Sequence, residues 1–81
     1  MSADDTIRRK IAAGLLPCER CQVLWAGPGT GRLCVACDLP IGADATEYEC
    51  DQADGTVIYF HYGCYVLWEA ACRELESGSV I

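Results

Sequence analysis

The spacing of apolar residues predicts a helix near the amino terminus. Ile7, Ile11 and Leu15 recur every four residues and would form one apolar face. Acidic residues precede this stripe, and they suit a helix start because the amino end of a helix carries partial positive charge. Gly14 is a typical residue at a helix end. We therefore expect a helix over residues 4–15.

Two strands and a second helix are predicted in the carboxyl-terminal half. Ala45–Asp51 and Thr56–Phe60 carry residues that favour sheets, and Asp54-Gly55 between them is a strong hairpin signal. From Tyr62 to Glu76 the apolar positions return to a helical period. The predicted apolar stripe of this helix consists of Cys64, Leu67, Trp68, Ala71 and Leu75.

The glycine-rich segment WAGPGTGR covers residues 25–32. Its apolar residues show neither the alternation of a strand nor the period of a helix. Glycine amides and Arg32 could cradle a phosphate. The Gly-Lys-Ser/Thr ending of a phosphate loop is missing, however, and the glycines do not lie between a strand and a helix. We expect a turn-rich loop beside the cysteine pair that follows. Trp25 and Trp68 are expected in the core, whereas an exposed Trp25 would indicate an interaction anchor.

Length and cysteine content indicate a domain that needs a cross-link or a bound metal ion for stability. The chain has 81 residues, seven cysteines and one histidine, and the core of so short a chain is marginal on its own. The amino terminus shows no apolar signal segment, and no apolar run reaches the ~18 residues of a membrane span. We therefore expect a cytoplasmic protein, where cysteine pairs more often bind metal than form disulfides.

The charge is unevenly distributed along the chain. Residues 1–32 hold five bases and three acids, a net charge of +2, while residues 33–81 hold one base and nine acids, a net charge of −8. A general nucleic-acid binder should show a basic face, whereas the larger part of this chain carries net negative charge. The bases that could contact phosphates are Arg8, Arg9, Lys10, Arg20 and Arg32.

The pattern Cys34-x2-Cys37-x23-His61-x2-Cys64 is the strongest chemical signal. Zinc prefers four thiolate and imidazole ligands in a tetrahedron, and two residues between ligands let one tight turn aim both side chains at the ion. The second pair falls where the hairpin ends and the last helix begins, so the helix dipole is expected to lower the pKa of Cys64. Four protein ligands leave no open position, and we predict a structural Zn²⁺ site and no catalytic residues.

These residues resemble two groups of proteins. The pattern is similar to the first zinc module of a LIM domain, a protein-interaction fold, although Leu67 stands where that family continues with cysteine. A longer set, from Ile7 to Trp68, resembles a family of small uncharacterised bacterial zinc-finger-like proteins. The matching residues are Ile7, Lys10, Ile11, Gly14, Leu16, Pro17, Trp25, Gly27, Gly29, Gly31, Cys34, Cys37, Pro40, Ile41, Phe60, His61 and Cys64. The resemblance implies a bacterial cytosolic zinc protein.

Four further cysteines leave alternatives open: Cys18, Cys21, Cys50 and Cys72. They could be two core residues and two partly exposed thiols, in which case Cys18→Ala should be mild. They could instead bind a second zinc. Cys18 and Cys21 could also form a redox pair, or a zinc ribbon with the next Cys-x2-Cys, although the spacing is short for a ribbon.

The sequence thus predicts a single small α+β zinc domain. Its order of zinc knuckle, β-hairpin and helix is treble-clef-like. It comprises an N-terminal helical arm (1–16), a glycine-rich loop (17–33), a zinc-binding core of knuckle, β-hairpin and C-terminal helix (34–76) and a frayed tail (77–81). We expect a non-enzymatic binding or regulatory module whose partner is another protein. The alternatives are a nucleic-acid-binding regulator using the basic N-terminal segment and a thiol redox or metal sensor using Cys18 and Cys21.

Overall fold

The computed structural model describes residues 3–78, and of residues 76–78 only the backbone. It is a small α+β fold of two helices and one three-stranded antiparallel sheet. In chain order the elements are α1 (Ala3–Ala12), β1 (Cys21–Pro28), β2 (Thr46–Gln52), β3 (Val57–His61) and α2 (Tyr62–Gly78). Most of the predicted frayed tail lies outside the described residues. No helix in this part of the chain is both long and apolar enough to cross a membrane.

Helix α1 ends at Ala12, earlier than predicted, because the chain reverses at Gly14. Gly14 has a φ of 76°, which suits glycine, and the Leu15 amide donates back to the Lys10 carbonyl at 2.9 Å. This reversal turns Leu15 outward, where it is 70% exposed, and buries Leu16 instead. The predicted apolar stripe was therefore wrong at its last position.

The predicted hairpin is confirmed as β2 and β3, with each boundary shifted by about one residue. The turn between them places Gly55 at a φ of 90°, and the Thr56 amide donates to Asp54 Oδ1 at 2.9 Å. Tyr48 pairs with Phe60 in the antiparallel ladder. The local turn chemistry thus determines both the position and the register of this hairpin.

Strand β1 occupies a segment that the sequence predicted as loop, and that prediction was wrong. It runs along β2 from Pro28, opposite Thr46, to Cys21, opposite Gln52, with an irregularity after Cys21. Val-Leu-Trp at its centre is a strand-forming run, and Pro28 is tolerated because it ends an edge strand. Gly27, Gly29 and Gly31, at and after the end of this strand, made the segment resemble a loop.

The core lies between α2 and one face of the sheet. Cys50, Ile58 and Phe60 are buried on the sheet side. Trp68 on α2 is 3% exposed and packs against Phe60 with ring centroids 4.9 Å apart, as the helical stripe predicted. Leu75 departs from the prediction because it lies exposed beyond the edge of this packing.

The glycine-rich segment after β1 is hydrogen-bonded to the stretch between the cysteine pair and β2. Amides of Gly29 and Gly31 donate to the carbonyls of Ala45 and Ile41 at 2.9 and 2.8 Å. The buried Glu47 side chain accepts a hydrogen bond from the Thr30 hydroxyl at 2.8 Å. These bonds stabilise the loop and attach it to β2 and to the segment that precedes β2.

We expect Gly29→Ala to destabilise the fold by about 3 kcal/mol, because overpacking at a rigid contact forces the backbone apart. A Cβ at Gly29 would lie inside van der Waals contact of the Gly42 and Ile41 carbonyl oxygens. Urea unfolding followed by tryptophan fluorescence measures the change. Gly27→Ala is the matched control, since nothing lies within 4 Å of its Cβ position. Equal effects of the two substitutions would contradict the close packing.

Candidate metal centre

Four potential metal ligands converge at one end of the sheet. They are Cys34, Cys37, His61 and Cys64, and their ligand atoms all lie within 4.8 Å of one another. Two come from the knuckle before β2, one from the last position of β3 and one from the first turn of α2. The structure therefore brings together the four residues that the sequence spacing selected, and they could hold a metal ion.

The knuckle is shaped by backbone hydrogen bonds. The Asp38 amide donates to the Cys34 carbonyl at 2.9 Å, and the Cys34 amide donates to the Leu39 carbonyl at 2.9 Å. Asp38 has a φ of 64°, a left-handed conformation that aspartate tolerates better than most residues. The His61 amide donates to Cys34 Sγ at 3.5 Å. This sulfur is thus oriented before any ion binds.

The His61 ring is oriented as a metal ligand. Its Nε2 lies 3.2 Å from the Pro40 carbonyl oxygen, which can only accept, so Nε2–H donates there. The Nδ1 lone pair then faces Cys37 Sγ, 3.4 Å away, inside the cluster. A metal-binding histidine commonly donates its second ring nitrogen to a backbone carbonyl in this way.

Helix α1 supports the knuckle through Lys10, a contact that the sequence analysis missed. Lys10 Nζ donates to the Val35 carbonyl at 3.0 Å and to Asp38 Oδ2 at 2.7 Å. Its side chain is only 17% exposed. The sequence analysis named Lys10 as a base that could contact phosphates, and no local signal revealed a partner almost thirty residues away.

The three thiols of the cluster differ in pKa. Burial raises the pKa of Cys34, but hydrogen bonds from the His61 and Cys37 backbone outweigh burial and lower it to about 7. Burial raises the pKa of Cys37. Burial, followed by the negative charge of Cys34 and Cys37, raises the pKa of Cys64 to about 12. The expectation of a lowered Cys64 pKa was therefore wrong, because burial and the neighbouring thiols raise it.

The donor set fits a closed metal site. Three sulfur donors and one imidazole nitrogen match the thiolate and imidazole ligands of tetrahedral structural sites. Cys34 and Cys64 are buried, while Cys37 and His61 are partly exposed. A divalent cation between the sulfurs would also offset the repulsion between neighbouring thiolates. The four residues can bind an ion, and they supply all four ligands themselves.

The other four cysteines form two disulfides, Cys18–Cys72 and Cys21–Cys50. Their Cα atoms lie 5.4 and 5.1 Å apart, within the normal range for the bond. The interpretation of these residues as thiols was therefore wrong. The pairing of Cys18 with Cys21 was also wrong, because Cys18 bonds to Cys72 on α2 and Cys21 bonds to Cys50 on β2. The zinc ribbon and the second zinc site are contradicted in this disulfide-bonded form, because none of the four sulfurs is a free thiolate. Sequence spacing does not determine disulfide connectivity.

Two of the three bases in the N-terminal segment, Arg8 and Lys10, form ion pairs with other parts of the fold. Arg8 pairs with Asp4 on its own helix and with Glu74 on α2. Hydrogen bonds to these two carboxylates raise the pKa of Arg8, the one to Glu74 contributing most. Of the three consecutive bases, Arg9 is the exposed one. The segment thus connects α1 to the rest of the molecule.

Comparison of the chain with known protein families, with curated proteins and with solved structures found no match. The resemblance to the first LIM zinc module and to the bacterial zinc-finger-like group therefore stays a prediction.

Proposed function

We propose that this protein is a non-enzymatic binding module whose fold is closed by one structural Zn²⁺. The orientation of His61 carries the proposal, because its Nε2–H is committed to the Pro40 carbonyl and its Nδ1 faces three cysteine sulfurs. Zinc suits this sulfur-rich donor set. A knuckle, a hairpin and a helix around one ion would make the unit treble-clef-like.

We infer that the partner binds the exposed side of β1. This strand forms one edge of the sheet, and no further strand pairs with it within residues 3–78. Trp25, expected in the core, is 60% exposed on it. An edge strand offers free backbone groups to an extended segment, and an exposed tryptophan is a common anchor of protein interfaces.

The charge beside Trp25 favours a basic partner segment. Trp25 lies opposite Glu49 in the ladder, and Val23 lies opposite Asp51 on the same face. Burial, followed by a hydrogen bond and repulsion from Asp51, raises the pKa of Glu49, while the charge of Arg32 acts in the opposite direction. Acidic side chains therefore outnumber the one arginine there. Lysine or arginine side chains would relieve this excess of negative charge and could also stack on the indole ring.

A labelled peptide of alternating lysine and valine tests this function with the zinc-loaded protein. We expect saturable binding that weakens as salt rises, and about tenfold weaker binding for Trp25→Ser. Leu75→Ser is the control, because Leu75 is 51% exposed on α2. Equal binding of a glutamate–valine peptide would overturn the proposal. So would tight binding of duplex DNA in place of the peptide.

A further inference from the structure

The two disulfides lie together on one cavity of about 350 Å³. Cys18, Cys21 and Cys72 line this cavity, and Cys50 is bonded to Cys21. We call these four residues the paired cysteines. Cys18 and Cys21 are partly exposed, whereas Cys50 and Cys72 are buried. Solvent, a reductant and a metal ion can therefore reach the sulfur atoms from one side.

We propose that the paired cysteines bind a second zinc ion once both disulfides are reduced, and release it when a small-molecule disulfide oxidises them again. Each S–S bond that re-forms passes two electrons to that small-molecule disulfide, whose own S–S bond breaks into two thiolates. A dithiol supplies two electrons and two protons to each S–S bond, which breaks into two thiols, and the dithiol leaves as a cyclic disulfide. The four thiols then bind one Zn²⁺ and release four protons. In the disulfide form no thiolate is present, so the same sulfurs cannot hold the ion.

The distances required for this exchange are short. Four sulfurs at about 2.3 Å from zinc lie roughly 3.8 Å apart, against about 2.05 Å in a disulfide. The two sulfurs of each pair must therefore separate by less than about 2 Å, a change of the size that side-chain rotation supplies. The two pairs would approach one ion from the cavity that they share. The spacing Cys18-x2-Cys21 is also the spacing of zinc-binding pairs.

Other contacts hold the paired cysteines together when the covalent bonds are absent. Trp68 Nε1 donates to the Pro17 carbonyl at 2.8 Å, which fixes the residue before Cys18 to α2. Gln52 Nε2 donates to the Glu19 carbonyl at 3.0 Å, which fixes the following residue to β2. Gln52 is buried and Glu19 is exposed, so this bond is partly shielded from water. Neither hydrogen bond depends on a sulfur atom, so reduction of the disulfides leaves both donors and both acceptors in place.

Charges around the cavity suit an anionic centre. Four thiolates and one Zn²⁺ carry a net charge of −2, and Arg20 and Arg73 both line the cavity. Glu19 and Glu69 line it as well, and Glu69 pairs with Arg73 at 2.7 Å. Arg20 makes no ion pair with the described residues. It is therefore the guanidinium available to offset the thiolate charge.

Native mass spectrometry of the full chain in two redox states tests the proposal. One sample is oxidised in air and the other is reduced with a phosphine under argon; both receive excess zinc and are then desalted. The reduced sample should carry one zinc ion more than the oxidised sample. Equal zinc counts would overturn the proposal. A count of zero in the oxidised sample would instead refute the first zinc site, so the two failures are distinguishable.

Two variants test whether the paired cysteines bind the additional ion. In the reduced state Cys18→Ser and Cys50→Ser, one from each disulfide, should each lose the additional ion and keep the first. Cobalt substitution provides a second readout, because reduction of wild-type protein should add a thiolate-to-cobalt band of a four-sulfur site. Retention of the extra ion and band in Cys18→Ser would place that ion elsewhere and refute this assignment.

Discussion

Cys64→Ser should abolish the cooperative unfolding transition of the domain. This substitution removes the ligand that links α2 to the knuckle. Structural zinc contributes about 10–16 kcal/mol in small zinc domains, as much as or more than the about 5–15 kcal/mol that holds a whole domain folded. Circular dichroism during heating, together with the zinc content of the purified variant, measures both losses. Treatment of wild-type protein with EDTA should reproduce them.

The matched control for this prediction is Val66→Ser. Val66 lies two residues further along α2 and its side chain is exposed, so its replacement should change the free energy of unfolding by no more than about 0.5 kcal/mol. A Cys64→Ser protein that contains no zinc and still melts cooperatively would show that the cluster is not the staple of this fold.

Removal of the Cys18–Cys72 disulfide should be the second large loss. The double variant Cys18→Ser/Cys72→Ser opens a loop with a sequence separation of 54 residues. Loop-closure entropy then predicts destabilisation by about 4 kcal/mol under oxidising conditions. Urea unfolding of the zinc-loaded protein gives the value. Cys18→Ala would have been mild if Cys18 were an exposed thiol, but loss of a disulfide makes a large effect the expected result.

A reductant provides the control for this second prediction. With a phosphine present and no zinc beyond one ion per chain, wild-type protein loses the same cross-link, so the difference between variant and wild type should shrink to about 1 kcal/mol or less. If the full difference persists in reductant, the serine substitutions destabilise through lost packing at the buried Cys72 and the disulfide contributes little.

The elements that sequence predicted well are those whose signals are local. The hairpin follows from Asp54-Gly55 and the strand-forming residues on either side, and the apolar period of α2 correctly places Trp68 in the core. The metal cluster also follows from paired spacing, because each pair needs only a short stretch of chain to position it.

The features that sequence reasoning missed depend on distant residues. Strand β1 forms because β2 offers it a full ladder, although its glycines and proline resemble a loop. Lys10 appears solvated until Asp38 is placed beside it. The disulfides need a choice among three connectivities for four cysteines, and only the packing of β1, β2 and α2 makes that choice.

The long-range closure of this fold has a consequence for its synthesis. The first Cys-x2-Cys is translated well before Cys50 and Cys72, and the knuckle is translated before His61 and Cys64. On the ribosome, every cysteine in the first half of the chain therefore waits for a partner that has not yet emerged. Metal capture and cross-linking are then late events, because each of them needs a residue from the second half of the chain.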